Sequence, residues 1–307
     1  MSPATLCWRF VKPGFERTLA ILVAIALGAL VPGAHVFSGA IRWLVMAMLF
    51  LVFLQTRLSR GIWHQSHLWL VLANLGMGFA AYGIGWVIGG RDLALAGFFA
   101  GITPTATAAP VIVGFLRGRV EYVIGAFLLT NVVIAALLPV LLPLILGKAT
   151  PALFAQVTGS VAGVVFFPMA AAWLVRSVYP PAVVWPVKLR NFSFGMWVAA
   201  MFLITANGSD FLRRQHDTSH WSLAQIALTT LLVCAANFAL GRLIGGREFR
   251  REASQALGQK NTTFTIYLAL TYASPLIALG PTCYVLWHNL WNSWQLHLAA
   301  RRETPGK

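Results

Sequence analysis

Acidic side chains are scarce in this chain. Its 307 residues hold eight Asp and Glu against 23 Lys and Arg, and charged residues of both signs make up only 10%, where a soluble domain carries roughly 25%. That excludes an ordinary globular domain, which needs more charge than this on its surface. Cysteine is scarce too: Cys7, Cys234 and Cys283 show neither CxxC spacing nor even pairing, which excludes a disulfide framework and a cysteine-rich zinc site. HExxH, GxSxG, a credible Cys/His pairing and paired carboxylates inside an apolar run are all missing, so the sequence offers no enzyme signature. What is abundant is apolar. Hydrophobic residues make up 58%, mean hydropathy is +0.74, and the bases sit in short clusters between long apolar runs. The formal charge of +15 therefore reads as membrane topology, with the lipid bilayer as partner, and not as a nucleic-acid footprint.

At ~20 residues per crossing, ten runs qualify: Leu19–Phe37, Ile41–Leu54, Leu68–Gly89, Leu93–Leu116, Tyr122–Leu146, Pro151–Val175, Phe192–Thr205, Leu223–Ile244, Ala253–Ala273 and Pro275–Leu298. The second and seventh are short. The basic start with Arg9, Lys12 and Arg17 resembles a signal peptide, but nine further runs follow, so an uncleaved first span is expected. The connections are too short for an extramembrane domain. With the N-terminus inside, 17 Lys and Arg fall on the cytoplasmic side and five (Arg42, Arg91, Lys148, Arg213, Arg214) on the other, leaving Lys260 within the ninth span. The expected location is a cell membrane of the bacterial inner-membrane type, with both termini cytoplasmic.

The fourth run is interrupted by GITPTATAAP, with Pro104 and Pro110, and the ninth by GQKNTTFT, with Gly258, Gln259, Lys260 and Asn261. Each is the fourth span of a five-span half, and five being odd, the halves are inverted. Interrupted helices at matching places in inverted halves point to a transporter site near the midplane, because their freed N–H and C=O groups need partners that lipid cannot supply.

The stretch REASQALGQKNTTFTIYLALTYASPLIALGPTCYVLWHNLWNS resembles the ninth and tenth spans of the bile acid:sodium symporter family, and TATAAPVIVGFLRGRV resembles its fourth. The resemblance implies an all-α fold of ten transmembrane helices as two inverted five-helix repeats. A core of spans 3–5 and 8–10 would move against a panel of spans 1, 2, 6 and 7. The expected division is residues 1–18 as cytoplasmic N-terminus, 19–148 and 149–298 as the repeats, and 299–307 as cytoplasmic tail. By position the family's sodium ligands fall at Ala109, Pro110, Ala256 and Lys260, and less directly at Phe127 and Asn131; its third-span Gln finds no match, since Leu68–Gly89 contains none. The resemblance places substrate at Thr107, Asn261, His288 and Asn289.

Lys260 lies about eight residues into its span, ~12 Å deep, where a lysine costs ~2.5–3.5 kcal/mol and is a functional candidate by default. Its ammonium supplies the charge a bound sodium ion would supply. Thr103, Thr105 and Thr107 near one break, and Thr262 beside Asn261 at the other, either cap freed backbone groups or face substrate. His288 and Asn289 either bond across helices or contact substrate. His216 and His220, four apart, lack a third ligand, and no metal or cofactor is expected. Tryptophans near span ends, such as Trp43, Trp63 and Trp221, fit an aromatic belt, and Glu121 and Glu252 beside Arg119 and Arg251 fit structural pairing. The expectation is a secondary transporter, not an enzyme, that carries a small organic anion past Thr105, Thr107, Lys260, Asn261, Thr262, His288 and Asn289, with sodium not expected. Proton coupling through Lys260 and sodium symport are the alternatives, and an intramembrane enzyme or a receptor is the more distant one.

Overall fold

The computed structural model describes residues 19–20, 22–55, 62–106, 108–214 and 219–303. Residues 1–18, Arg57, Arg60, Thr107, His216 and the last four residues of the expected tail lie outside the described residues. Among those described, the chain is helical and the β pairing is one isolated bridge.

Helix α1 covers residues 22–30 and runs into a 3₁₀ turn at Pro32–Phe37. Helix α2 is Ala40–Gln55. Helix α3, Gln65–Ile102, bends sharply at Gly90 (φ 73°, ψ −159°) into arms 65–89 and 91–102, a backbone conformation that a side chain would strain. After an extended stretch come α4, Ala108–Phe115, and α5, Val120–Ile145. Helix α6, Pro151–Val161, starts at a Thr150 cap whose hydroxyl accepts from the Leu153 N–H at 3.2 Å. It continues through a π segment, Ala162–Phe166, into α7, Phe167–Val178. A 3₁₀ turn at Pro180–Val184 and the single turn α8, Trp185–Lys188, lead to α9, Arg190–Arg214. Ser219 caps α10, His220–Ile244. Then come α11, Arg250–Gly258, α12, Thr262–Tyr272, and α13, Pro275–Glu303.

Among the described residues, five helical stretches are long and apolar enough to cross a membrane: Gln65–Ile102, Val120–Ile145, Pro151–Val178, Asn191–Phe211 and His220–Ile244. The chain is thus a helical protein of membrane-embedded composition. The short seventh run, Phe192–Thr205, lies in a helix that reaches Arg214. The helix outlasts its apolar run because its polar end is partnered: Asn207 donates to Ser38 Oγ, Ser209 donates to Ala29 O, both at 2.8 Å, and Arg214 pairs with Asp210.

Helix α2 packs on α7 and α9, while α3 packs on α10 and α13 and α5 on α3, α4, α6 and α11. The largest apolar cluster joins the two groups. It brings Ile41, Val45 and Phe53 of α2 onto Leu95, Phe98 and Phe99 of the second α3 arm, Ile134 and Leu138 of α5, and Phe264 and Ile266 of α12. Helix α13 approaches that arm so closely that a Cβ on Gly280 would sit 2.3 Å from Ala96 O.

Candidate functional site

The two interruptions meet. Past the ends of α3 and α11 the chain leaves the helical path, and the two pieces pair as an antiparallel bridge at Thr105 and Lys260. The Ala106 N–H donates to Gln259 O, and the Asn261 N–H donates to Pro104 O, each at 2.8 Å. Two helix C-terminal ends and two N-terminal ends are thereby brought to one point in the interior.

Each break frees carbonyl oxygens that no longer have a partner in their own helix. Side chains take them up one by one. On the first break, Thr103 Oγ donates to Phe99 O at 2.5 Å, Lys260 Nζ to Gly101 O at 3.2 Å, and Asn74 Nδ2 to Ile102 O at 2.8 Å. Asn131 Nδ2 donates to Thr105 O at 2.9 Å. On the second break, Thr105 Oγ donates to Ala256 O at 2.6 Å and Tyr284 Oη to Gly258 O at 2.9 Å. Thr103 and Thr265 hydroxyls meet at 2.7 Å, and Thr130 Oγ lies 2.9 Å from Thr105 Oγ as donor. Those hydroxyls and amides are inside the protein, where an unpaired carbonyl costs most.

Lys260 is 2% exposed. Its Nζ donates to Asn74 Oδ1 as well as to Gly101 O, so the amino group lies at the C-terminal, negative end of the second α3 arm, where a protonated lysine is favoured. Two of its three donors are engaged with the protein. Asn261 serves as the N-cap position of α12 without a side-chain cap bond, and its Nδ2 is buried with no protein partner. Thr262 is buried at the first position of that helix.

The remaining candidates separate. Thr105, Lys260, Asn261 and Thr262 come together, with Pro104 and Gln259 in the extended pieces and Gly258 as the last residue of α11. Pro110 is not at the break. It sits in the first turn of α4, where its missing N–H leaves no gap in the hydrogen-bond ladder, so the interruption spans fewer residues than the two prolines suggest. Asn289 turns its amide back to Val285 O at 2.7 Å. His288 is 1% exposed, lies edge-on to the Tyr284 ring, and has no hydrogen-bond partner on either ring nitrogen. Ala109 and Ala256 are buried and apolar. Among the described residues no cluster of three His, Cys, Asp or Glu is poised to hold a metal.

Sequence reasoning missed Asn74, Thr130, Gln255 and Asn292. Asn74 carried a signal, being a lone amide inside the apolar run Leu68–Gly89, although the family resemblance points to a glutamine in that span. Glu252 has a structural role: Oε1 accepts the Arg119 N–H at 2.8 Å, while Arg119 also pairs with Glu248 and Arg251 donates to Leu116 O. That knot ties the start of α11 to the turn before α5.

No family model matches the chain, and no curated protein does.

Proposed function

We propose that this chain is a secondary transporter of a small organic anion, similar in architecture to the bile acid:sodium symporters. It would have ten spans in two inverted five-span repeats, in a bacterial-type inner membrane with both termini cytoplasmic. Spans 3–5 and 8–10 would form a core that moves against spans 1, 2, 6 and 7. The observation that supports this reading best is the crossing of two interrupted helices with a buried lysine at the crossing, since broken helices at membrane depth are tolerated where they line a site for substrate or ion.

In this reading Lys260 takes the place of a sodium ion. The carbonyls of Gly101, Ile102, Ala256 and Gln259, which a hard cation would need, already accept from protein donors. The charge of Lys260, the N-terminus of α12 and the unpartnered Asn261 amide favour an anion over a cation. Proton coupling through Lys260 is the second reading, supported by its placement as the cationic group at the crossing.

The test is a thermal-shift screen of small organic carboxylates and sulfonates on purified full-length protein, with hits carried into proteoliposome uptake. Stabilisation by an anion that is then accumulated supports the proposal. Failure of every anion to stabilise, or stabilisation by cations alone, overturns it.

A further inference from the structure

Helices α11 and α13 run antiparallel and share a seam that is polar where two helices in a membrane are ordinarily apolar. On α13 the residues Tyr284, His288, Asn292 and Gln295 recur at helical spacing on one face. Across from them stand Gln255 of α11 and Gln259, the extended residue just past its end. Gln255 Nε2 donates to Asn292 Oδ1 at 3.1 Å and to Gln295 Oε1 at 2.7 Å, and Asn292 Nδ2 donates to Gln259 Oε1. Gln255, Gln259 and Asn292 are all buried, whereas Gln295 is half-buried. The ladder of amides therefore runs from the surface, near the Arg250 end of α11, inward to the interruption. Tyr284 closes its inner end through the bond to Gly258 O.

The ladder is incomplete. Gln255 Oε1, both ring nitrogens of His288 and the indole Nε1 of Trp291, which lies on the same face of α13, are buried without a protein partner. Gln255 is 0% and His288 1% exposed, so bulk solvent does not reach them. Buried polar atoms of native proteins have partners, and the missing set here is of one kind. It is uncharged and mixes acceptors (the Gln255 oxygen, one nitrogen of a neutral imidazole) with donors (the indole N–H, the other ring nitrogen). An anion would match the donors alone and a cation the acceptors alone. Water matches both, and buried water characteristically bonds to about three such groups.

We propose that the α11–α13 seam is a binding site for a row of ordered water molecules, entered beside Gln295 and ending against His288. It hydrates the interrupted helix from one side of the protein only. Its partners differ from those of Lys260: Gln259 bonds to Asn292 of α13, while Lys260, the next residue, bonds to Asn74 of α3. The inference does not depend on what the protein carries.

Hydroxyl radicals generated in place by X-ray radiolysis modify side chains beside bound water even where bulk solvent is excluded. Applied to the wild-type full-length protein in detergent and read by mass spectrometry, the experiment should modify His288 roughly tenfold faster than Phe98 and Phe99. Those phenylalanines are equally buried and no less reactive toward the radical. Trp291 should be modified about fivefold faster than Trp287, whose indole N–H is paired with Ala227 O. In Gln255→Leu, which removes the central amide, the His288 yield should fall by at least half. A wild-type His288 yield no higher than that of Phe98 and Phe99 overturns the proposal, and this arm needs no variant to fold.

Discussion

Asn74 and Lys260 are bound to each other in the interior: the amide oxygen of one accepts from the ammonium of the other, and the same amide donates through its nitrogen to Ile102 O. A single side chain thus fixes the position of the buried charge and caps the broken helix beside it. Asn74→Leu strips both functions and should cost about 1.5–3 kcal/mol, the range for hydrogen bonds to charged groups. Asn74→Asp, which keeps an acceptor for the ammonium, should unfold closer to wild type. Thermal unfolding in detergent compares them. Equal stability of Asn74→Leu and wild type would show that the pair is incidental.

For Lys260 the sign of the pH effect follows from charge. The protonated lysine attracts an anion and the neutral one does not, so wherever Lys260 titrates, anion affinity falls as pH rises. Lys260→Gln should weaken anion binding by at least about tenfold, or ~1.4 kcal/mol, and should have no such pH slope. A slope in wild type that the variant lacks identifies proton coupling. Flat profiles in both, with weaker binding by the variant, identify a fixed charge. Calorimetry across pH reads the result, and identical binding by the two proteins would remove Lys260 from the site.

Sodium should leave the protein indifferent. An ion bound at a hundredfold excess over its Kd stabilises by about 2.7 kcal/mol, which in a melting curve is a shift of several degrees for a domain-sized unit. Replacing Na⁺ with choline at equal ionic strength should produce no shift. A clear rise in melting temperature with Na⁺ contradicts the reading of Lys260 as a built-in cation.

The packing of α13 supplies a purely structural test. Gly280→Leu forces side-chain atoms onto the backbone at Ala96, where even a Cβ has 2.3 Å of room, and should destabilise by about 1–3 kcal/mol or more. Gly76→Ala, on the first arm of α3 with nothing within 4 Å of the added atom, should be neutral or mildly stabilising. Unfolding of the two variants side by side decides it; if Gly280→Leu is as stable as wild type, the two helices are not held at this distance.

Membrane orientation is tested by a reporter that is active only outside the cytoplasm. Fused after Lys148 it should be active, and fused at the C-terminus it should be silent, because the proposed topology puts 17 basic residues on the cytoplasmic side and five on the other. The reverse pattern would overturn the proposed span count.

Much of the crossing was legible in the sequence because it is made of local signals. Pro104 and Gly258-Gln259-Lys260 interrupt apolar runs, and a helix cannot easily continue through them, so the extended pieces fall where composition changes. Pro110 misled because a proline signals equally a helix that ends and one that has just begun. What stayed hidden was pairing at a distance. Asn74 meets Lys260, and Gln255 meets Asn292 and Gln295, only after arms far apart in the chain are laid side by side, and nothing in hydropathy or spacing ranks one amide above another for that role. The seventh run is shorter than its helix for a related reason: the helix continues on polar partners from α1 and the turn after it.

Electrically, the crossing of the two broken helices is a small quadrupole. Two negative helix ends and two positive ones, each worth roughly half an elementary charge, are drawn together with no net charge, and their combined field dies away within a few ångströms. Lys260 changes the order of that field. One whole charge added to a neutral quadrupole leaves a monopole, which reaches much further through a low-dielectric interior. While Lys260 is protonated the crossing therefore carries a net positive unit, and in the proposed reading one negative unit on the substrate balances it.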